Sequence, residues 1–361
     1  MRVQSIWKSG SAVLFLLAMP AAVWASDVSG IAEGVVAEPV ERKRPKYPTE
    51  AAQNGKEGWV DISFVIGVDG KPHDLLVEDS MGSKRFERSA TSALQGWRYK
   101  PAELHGKPVQ QCHNRVRLIF SLNEKNGASR SFTRRYRKGI KQAQAGDLAA
   151  LKSTIETLDA TTLYESMYVA YLSAVTAEIE EDTSTQLRNL RRVISYSHFD
   201  ENDSTEIRGK ALRRVFIILA NRGEYASALQ VHDEIMESDL ASDVKDSSQK
   251  MAEKFQRMVD SDARLKRSIT LESTREPETG LSMERHRLSR RVVGLDEIEG
   301  QLDHVDLRCD FHRAVTEAKS GTGLRLPEEW GDCRIYVFGE PGAKFKIVEY
   351  AESEFSEAPS T

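Results

Sequence analysis

Two cysteines and two histidines near the C-terminus are the residues of this chain whose types could do chemistry together. Cys309 and Cys333 can form a disulfide, or they can join His304 and His312 as the four ligands of a zinc site. No tight Cys-x-x-Cys pair accompanies them, although that spacing is common in structural zinc sites. The choice between the two chemistries therefore depends on whether the compartment is oxidising.

The rest of the sequence shows no assembled catalytic constellation. Cys112 is followed directly by His113, and neighbours on a strand face opposite ways, which argues against a thiolate–imidazole pair. Gly321-Thr322-Gly323 lacks the strand-to-helix context of a nucleotide-binding loop, and no nucleophile elbow occurs. We therefore expect a protein that is not an enzyme and that has neither a cofactor nor a resident metal.

The first 25 residues are typical of a secretory signal peptide. Arg2 and Lys8 precede an apolar run over residues 11–24, and the expected cleavage site follows Ala25. The run is shorter than the ~20 apolar residues of a spanning helix, and Pro20 interrupts it. We expect export to the periplasm, with an uncleaved inner-membrane anchor facing the periplasm as the alternative.

Export decides the cysteine chemistry. In an oxidising periplasm Cys309 and Cys333 are expected to form a disulfide that stabilises the fold by roughly 2–4 kcal/mol, leaving Cys112 free.

The net charge of −4 gives no electrostatic footprint for nucleic acid. With 361 residues the chain has room for two or three domains.

Residues 45–123, which follow a short linker over 26–44, predict a compact α+β domain. Apolar residues alternate along a first strand at Val60, Ile62, Phe64, Ile66 and Val68. Asp69-Gly70 favours a tight hairpin to a second strand. A helical stripe follows at Phe86, Ala90, Ala93, Leu94 and Trp97. With a long last strand, the pattern predicts two helices packed on one face of a small antiparallel sheet.

Five motifs occur in order along this domain: Tyr47-Pro48, Glu57-Gly58-Trp59-Val60, Asp69-Gly70, Phe86 and Trp97-Arg98-Tyr99-Lys100-Pro101-Ala102. Together they resemble the C-terminal domain of the TonB family of periplasmic energy transducers. The resemblance covers under a quarter of the chain. It implies a role related to transmembrane transport and a protein partner, the N-terminal box of an outer-membrane receptor.

The expected mode of binding is β-strand addition along the last strand of this domain. An unpaired strand edge offers main-chain N–H and C=O groups to an incoming extended peptide. The predicted peptide-binding residues are Arg115, Val116, Arg117, Leu118, Ile119, Phe120, Ser121 and Leu122. Arg115 and Arg117 are expected on the solvent face. The alternative is an ordinary sheet strand whose edge the following helices cover.

Residues 139–267 predict a helical region without proline. Gly146 and Gly223 mark turns between antiparallel helices, after an arginine-rich connector over 123–137. The residues around the second turn resemble a tetratricopeptide hairpin, which suggests a TPR-like array of about three hairpins. Such an array offers a concave surface to a protein partner or serves as a plain spacer.

The last third predicts a linker over 268–289, a small β-sandwich over 290–351 and a disordered tail over 352–361. Period-two alternation at Val305, Leu307, Cys309 and Phe311 supports the sandwich, as does the turn around Pro341. Two further readings of the whole protein remain open: a membrane-anchored TonB energy transducer and a TPR-type periplasmic scaffold. In the first of these the protein contacts a membrane through its N-terminal segment.

Overall fold

The computed structural model describes residues 34–122, 127–196, 205–272, 281–321 and 323–355. The predicted signal peptide, the start of the 26–44 linker and residues 356–361 of the predicted tail lie outside these ranges. All described residues belong to one compact unit. No helix within those ranges is long and apolar enough to cross a membrane.

The first region is an antiparallel three-stranded sheet with two helices and several short strands. Its elements are β1 (Gly34–Val35), β2 (Glu38–Glu41), α1 (Thr49–Gln53), β3 (Gly58–Ile66), β4 (Pro72–Met81), α2 (Lys84–Gln95), β5 (Arg98–Lys100), β6 (Ala102–Leu104), β7 (Lys107–Val109) and β8 (Gln111–Phe120). The sheet order β4-β3-β8 places β3 in the centre. At the β3–β4 hairpin, Gly70 has φ +73, and a Cβ there would lie 1.9 Å from the Tyr99 carbonyl oxygen. Only glycine fits that turn.

The expected helical stripe packs on one face of the sheet. Phe86, Ala90 and Leu94 of α2 are fully buried against alternate residues of β3 such as Val60 and Ile62. Ser83 caps α2 by accepting a hydrogen bond from the Arg85 amide. The α+β class and the order of elements predicted from the sequence are confirmed for this region.

The second face of β3 is buried, whereas the sequence predicted a half-buried strand with one face in solvent. All nine residues of β3 are buried, including Asp61 and Ser63 on the polar side. The helical region and the C-terminal sheets cover that side, so both faces of the strand are inside the protein.

The residues assigned to a linker before the domain include two short strands. β1 pairs with β6, and β2 pairs with β5, both antiparallel. Val35 and Val40 are 49% and 72% exposed. Strands with so little burial leave no apolar alternation for a sequence pattern to detect.

The middle region is a series of helical hairpins, as expected. Its helices are α3 (Arg130–Gln144), α4 (Leu148–Glu156), α5 (Leu163–Ile179), α6 (Thr183–Tyr196), α7 (Thr205–Asn221), α8 (Tyr225–Glu237) and α9 (Ser242–Val259). Gly146 and Gly223 end α3 and α7 with φ near +70, so both predicted turns are present. Within the predicted connector over 123–137, residues 130–137 belong to α3, which Ser129 caps and on which Phe132 is buried.

The C-terminal region is a sandwich of two four-stranded antiparallel sheets. Its strands are β9 (Leu265–Thr270), β10 (Ser282–Arg287), β11 (Val292–Glu299), β12 (Leu302–Cys309), β13 (Arg313–Glu317), β14 (Gly323–Arg325), β15 (Cys333–Gly339) and β16 (Lys344–Tyr350). The sheet orders are β10-β15-β12-β13 and β14-β11-β16-β9. The predicted linker over 268–289 therefore contains β10 and the second half of β9, whose first half falls in the predicted helical region over 139–267. The sequence does not show the apolar alternation of β9, because Arg267 occupies the buried position between Leu265 and Ile269.

Candidate functional site

Strand β8 lies at one edge of the three-stranded sheet. It pairs with β3 from Phe120, opposite Gly58, to Gln111, opposite Ile66. Within the described ranges no other strand pairs with its outer edge. The main-chain groups along that edge from Asn114 to Phe120 are therefore not used by another strand.

The strand ends before the last two residues predicted for peptide binding. Ser121 and Leu122 follow β8, and the Leu122 amide donates to Glu57 Oε1 at 2.9 Å. Glu57 Oε2 also accepts from the Leu163 amide, at 3.1 Å. This buried carboxylate thus ties the end of β8 to the start of α5, and it leaves the Leu122 amide unavailable to a peptide.

Arg115 and Arg117, expected on the solvent face, differ in exposure: the side chain of Arg115 is 47% exposed, whereas that of Arg117 is only 21% exposed. Arg115 Nη2 donates to Asp61 Oδ2 at 2.7 Å, and Arg117 binds both oxygens of the same carboxylate at 2.7 and 2.6 Å. The Arg117 guanidinium also lies 4.0 Å from the centre of the Trp59 ring. Asp61, which is 2% exposed, draws both arginines over the sheet face that meets the other regions.

The neighbouring strand β4 carries two more carboxylates on this face. Glu78 pairs with Arg285 of β10 and lies 3.4 Å from Arg115. Burial alone would raise the pKa of Glu78, but Arg285 and Arg115 outweigh it and hold that pKa at about 2. Asp79 accepts from Arg192 of α6 at 2.8 Å. Ion pairs thus join the sheet to both of the other regions.

The C-terminal sandwich contacts β8 near the start of the strand. His113 Nδ1 lies 2.9 Å from Asp310 Oδ1, and Arg313 of β13 pairs with Asp74 of β4. Cys112 is buried beside these groups, and burial raises the pKa of its thiol to about 12. A thiol with so high a pKa is a poor nucleophile at neutral pH.

The two C-terminal cysteines form the expected disulfide. Cys309 of β12 and Cys333 of β15 are direct partners in the strand register, with Cα atoms 4.0 Å apart. The zinc alternative loses both of its thiolates to this bond. Its two histidines pack on aromatic rings instead: His304 stacks on Phe338 and His312 on Trp330.

Sequence reasoning missed the acidic partners of this site. Asp61 stands at a polar position of the alternating strand β3, where a sequence predicts solvent exposure. Glu78 and Asp79 are neighbours at a shift in the β3–β4 register, which an alternating pattern does not predict. The only signal was an excess of arginines at matching polar positions, such as Arg115, Arg117 and Arg192.

Comparisons with known proteins agree with the motifs in this domain. Residues 43–122 match the family described as Gram-negative bacterial TonB protein C-terminal. The TonB protein of Pseudomonas aeruginosa is 36% identical over 88 residues, which make up 24% of this chain and 25% of that protein. The TonB protein of Escherichia coli K12 is 31% identical over 96 residues, which make up 27% of this chain and 37% of that protein.

Among solved structures, the solution NMR structure of the P. aeruginosa TonB C-terminal domain is 26% identical. The aligned part makes up 25% of this chain and 89% of the chain in that structure, and the TM-score is 0.21. The chain spans only 25% and 37% of the length of the two curated relatives named above.

The first region is an α+β domain with two helices and a three-stranded sheet in which β8 is an edge strand. Its sequence match identifies it as a TonB C-terminal domain over residues 43–122. The chain continues from this domain into helical hairpins and a disulfide-bonded β-sandwich.

Proposed function

We propose that the protein works in the periplasm, in a process related to transmembrane transport. In this proposal, its TonB C-terminal domain binds an extended peptide of an outer-membrane receptor by strand addition to β8. The observation that carries the proposal is that none of the described strands pairs with the outer edge of β8 between Asn114 and Phe120.

Strand addition suits this edge because main-chain hydrogen bonds supply affinity whatever the peptide sequence, while alternate side chains supply selectivity. Ile119 is 37% exposed on β8 and offers an apolar contact beside those main-chain groups. The proposed binding segment ends at Phe120 rather than at Leu122 as the sequence predicted, since the Leu122 amide donates to Glu57.

Hydrogen exchange with a synthetic receptor-box peptide tests the proposal on the natural chain. Peptide binding should slow amide exchange within residues 114–120, because the peptide would form hydrogen bonds with main-chain groups that no other described strand uses. Slower exchange elsewhere, with residues 114–120 unchanged, contradicts strand addition at β8.

A proline variant provides a second measurement. Ile119→Pro removes a main-chain donor from β8 and should weaken peptide binding at least ten-fold. Val315→Pro is the matched control, because Val315 is an exposed apolar residue on β13, another edge strand. Circular dichroism melts of both variants separate lost binding from lost folding. Equal affinity of the folded Ile119→Pro variant and the natural chain excludes the β8 edge.

A further inference from the structure

A cavity of about 470 Å³ lies where the three regions of the protein meet. Its walls come from the polar face of β3, β4 and β8, from helices α6, α7 and α8, and from strands β10 and β15. Its volume lies within the range of sites for small molecules. Strand addition at the β8 edge does not use this space.

The wall of the cavity is strongly charged and carries an excess of positive groups. Among the described lining residues there are nine arginines and seven carboxylates. Most of the arginines are already paired. Asp61 holds Arg115 and Arg117, and Asp79 holds Arg192.

The same holds on the sandwich side of the cavity. Arg285 pairs with Glu78, and Arg222 lies 3.0 Å from Glu224. Arg287 donates to Asp332 and to Gln230, in both cases at 2.7 Å. The acidic residues of the wall are thus largely used by the arginines around them.

Two guanidinium groups in the cavity lack a carboxylate partner among the described residues. Arg191 of α6 and Arg334 of β15 both line the space, and neither forms an ion pair. Burial and the nearby charge of Arg285 lower the pKa of Arg191 to about 10, and the same two causes lower that of Arg334. Desolvated cations of this kind are costly until an anion compensates them.

The shape of the wall restricts the class of anion. Trp59 is the only aromatic side chain among the described lining residues, and Arg117 already covers its ring. The described wall therefore offers no open aromatic face on which a nucleobase could stack. Guanidinium groups bind the paired oxygens of phosphate and carboxylate groups with two parallel hydrogen bonds.

We propose that this cavity is a binding site for a small, soluble, multivalent oxyanion, held by Arg191 and Arg334 with Arg285 beside them. The ligand carries phosphate or carboxylate groups and no aromatic base. By compensating charges on α6, β10 and β15 at once, it would tie the helical region to the sandwich. This inference does not depend on peptide binding at β8.

Isothermal titration calorimetry of the purified protein in low-salt buffer tests the site with three probes. Pyrophosphate represents phosphate ligands, citrate represents polycarboxylates, and acetate is the monovalent control. We expect saturable binding of one molecule per chain for at least one polyanion and none for acetate. Binding of pyrophosphate alone or of citrate alone would assign the ligand class. Binding of both would show that the site responds to the charge of the ligand. Absence of saturable binding for both polyanions overturns the proposal.

Arginine variants locate the binding. Arg191→Gln and Arg334→Gln should each weaken binding at least ten-fold, whereas Arg213→Gln should leave it unchanged. Arg213 is the matched control because it is exposed on α7 and does not line the cavity. Equal binding by the Arg191→Gln/Arg334→Gln double variant and the natural chain contradicts this location.

Hydrogen exchange on the natural chain removes any dependence on how the variants fold. A saturating polyanion should slow exchange in segments that contain Arg191 and Arg334. Binding with unchanged exchange in both segments also counts against the cavity.

Discussion

At the scale of single residues, the most consequential groups are the buried carboxylates of the sheet. Asp61 is 2% exposed, and Glu78 has a side chain that is 6% exposed. The alternation of β3 predicted which residues face α2. The same alternation could not show that Asp61 is buried too, because its arginine partners Arg115 and Arg117 lie 54 and 56 positions further along the chain.

Glu78→Gln should destabilise the protein, because it leaves the Arg285 guanidinium without a charged partner inside the protein. The expected loss in the free energy of unfolding at neutral pH is about 3 kcal/mol, the scale of breaking a buried pair. Urea unfolding measures it. Glu206→Gln is the control, since Glu206 pairs with Lys210 on the surface and its loss should change stability little. A Glu78→Gln variant as stable as the control would show that the buried pair contributes nothing.

The same variant should alter the dependence of stability on pH. The pKa of Glu78 is about 2 in the folded protein, below the ordinary value of 4.5. Its contribution is therefore present above about pH 4.5 and is lost as the pH falls through about 2. The free energy of unfolding of the natural chain should therefore fall on acidification. That of Glu78→Gln should fall less over the same pH range, because the variant has no carboxyl group at this position.

At the scale of elements, the sequence predicted those with strong apolar periodicity and missed those without it. The β3–β4 hairpin, α2 and the turns at Gly146 and Gly223 carry clear local signals. β1, β2 and β9 do not, because the first two are mostly exposed and the third places an arginine at a buried position. Pairing with a distant strand, rather than local preference, holds these three in place.

The link between β12 and β15 is the element-scale feature that the cysteine pattern did predict. Cys309 and Cys333 are 24 residues apart in sequence and are both buried in the sandwich core. A disulfide over such a loop contributes about 3 kcal/mol, mainly by restricting the unfolded chain.

Cys309→Ala/Cys333→Ala should lower the free energy of unfolding by about 2–4 kcal/mol under oxidising conditions, as measured by urea denaturation. Reductant should bring the natural chain close to the variant and leave the variant unchanged. Thiol titration of the unfolded natural chain should give one thiol, Cys112, before reduction and three after it. Equal stability of the natural chain before and after complete reduction would show that the bond adds nothing.

At the scale of the whole molecule, the three regions are joined through a polar interface. Contacts across it connect residues far apart in sequence: Asp79 and Arg192 are 113 positions apart, and His113 and Asp310 are 197 apart. Sequence patterns report local periodicity and cannot pair such residues. The same interface contains the arginine-lined cavity, whose only sequence signal was the excess of arginines at polar positions.

The contact between Asp79 and Arg192 allows a direct test of how strongly the sheet is coupled to the helical region. Both side chains are mostly buried, at 20% and 16% exposure, and Arg192 binds both carboxylate oxygens. A double-mutant cycle with Asp79→Asn, Arg192→Gln and the double variant isolates their interaction from the effects of each substitution.

We expect a coupling energy of about 1–3 kcal/mol from urea unfolding, because a bidentate pair shielded from water is stronger than a surface pair. A parallel cycle on Glu206 and Lys210 provides the exposed reference and should give a smaller coupling. Amide exchange in β4 and α6 should accelerate together in both single variants if the pair holds the two regions against each other. Faster exchange in only one of the two elements, with a coupling no larger than the reference, would mean that the regions are held by their other contacts alone.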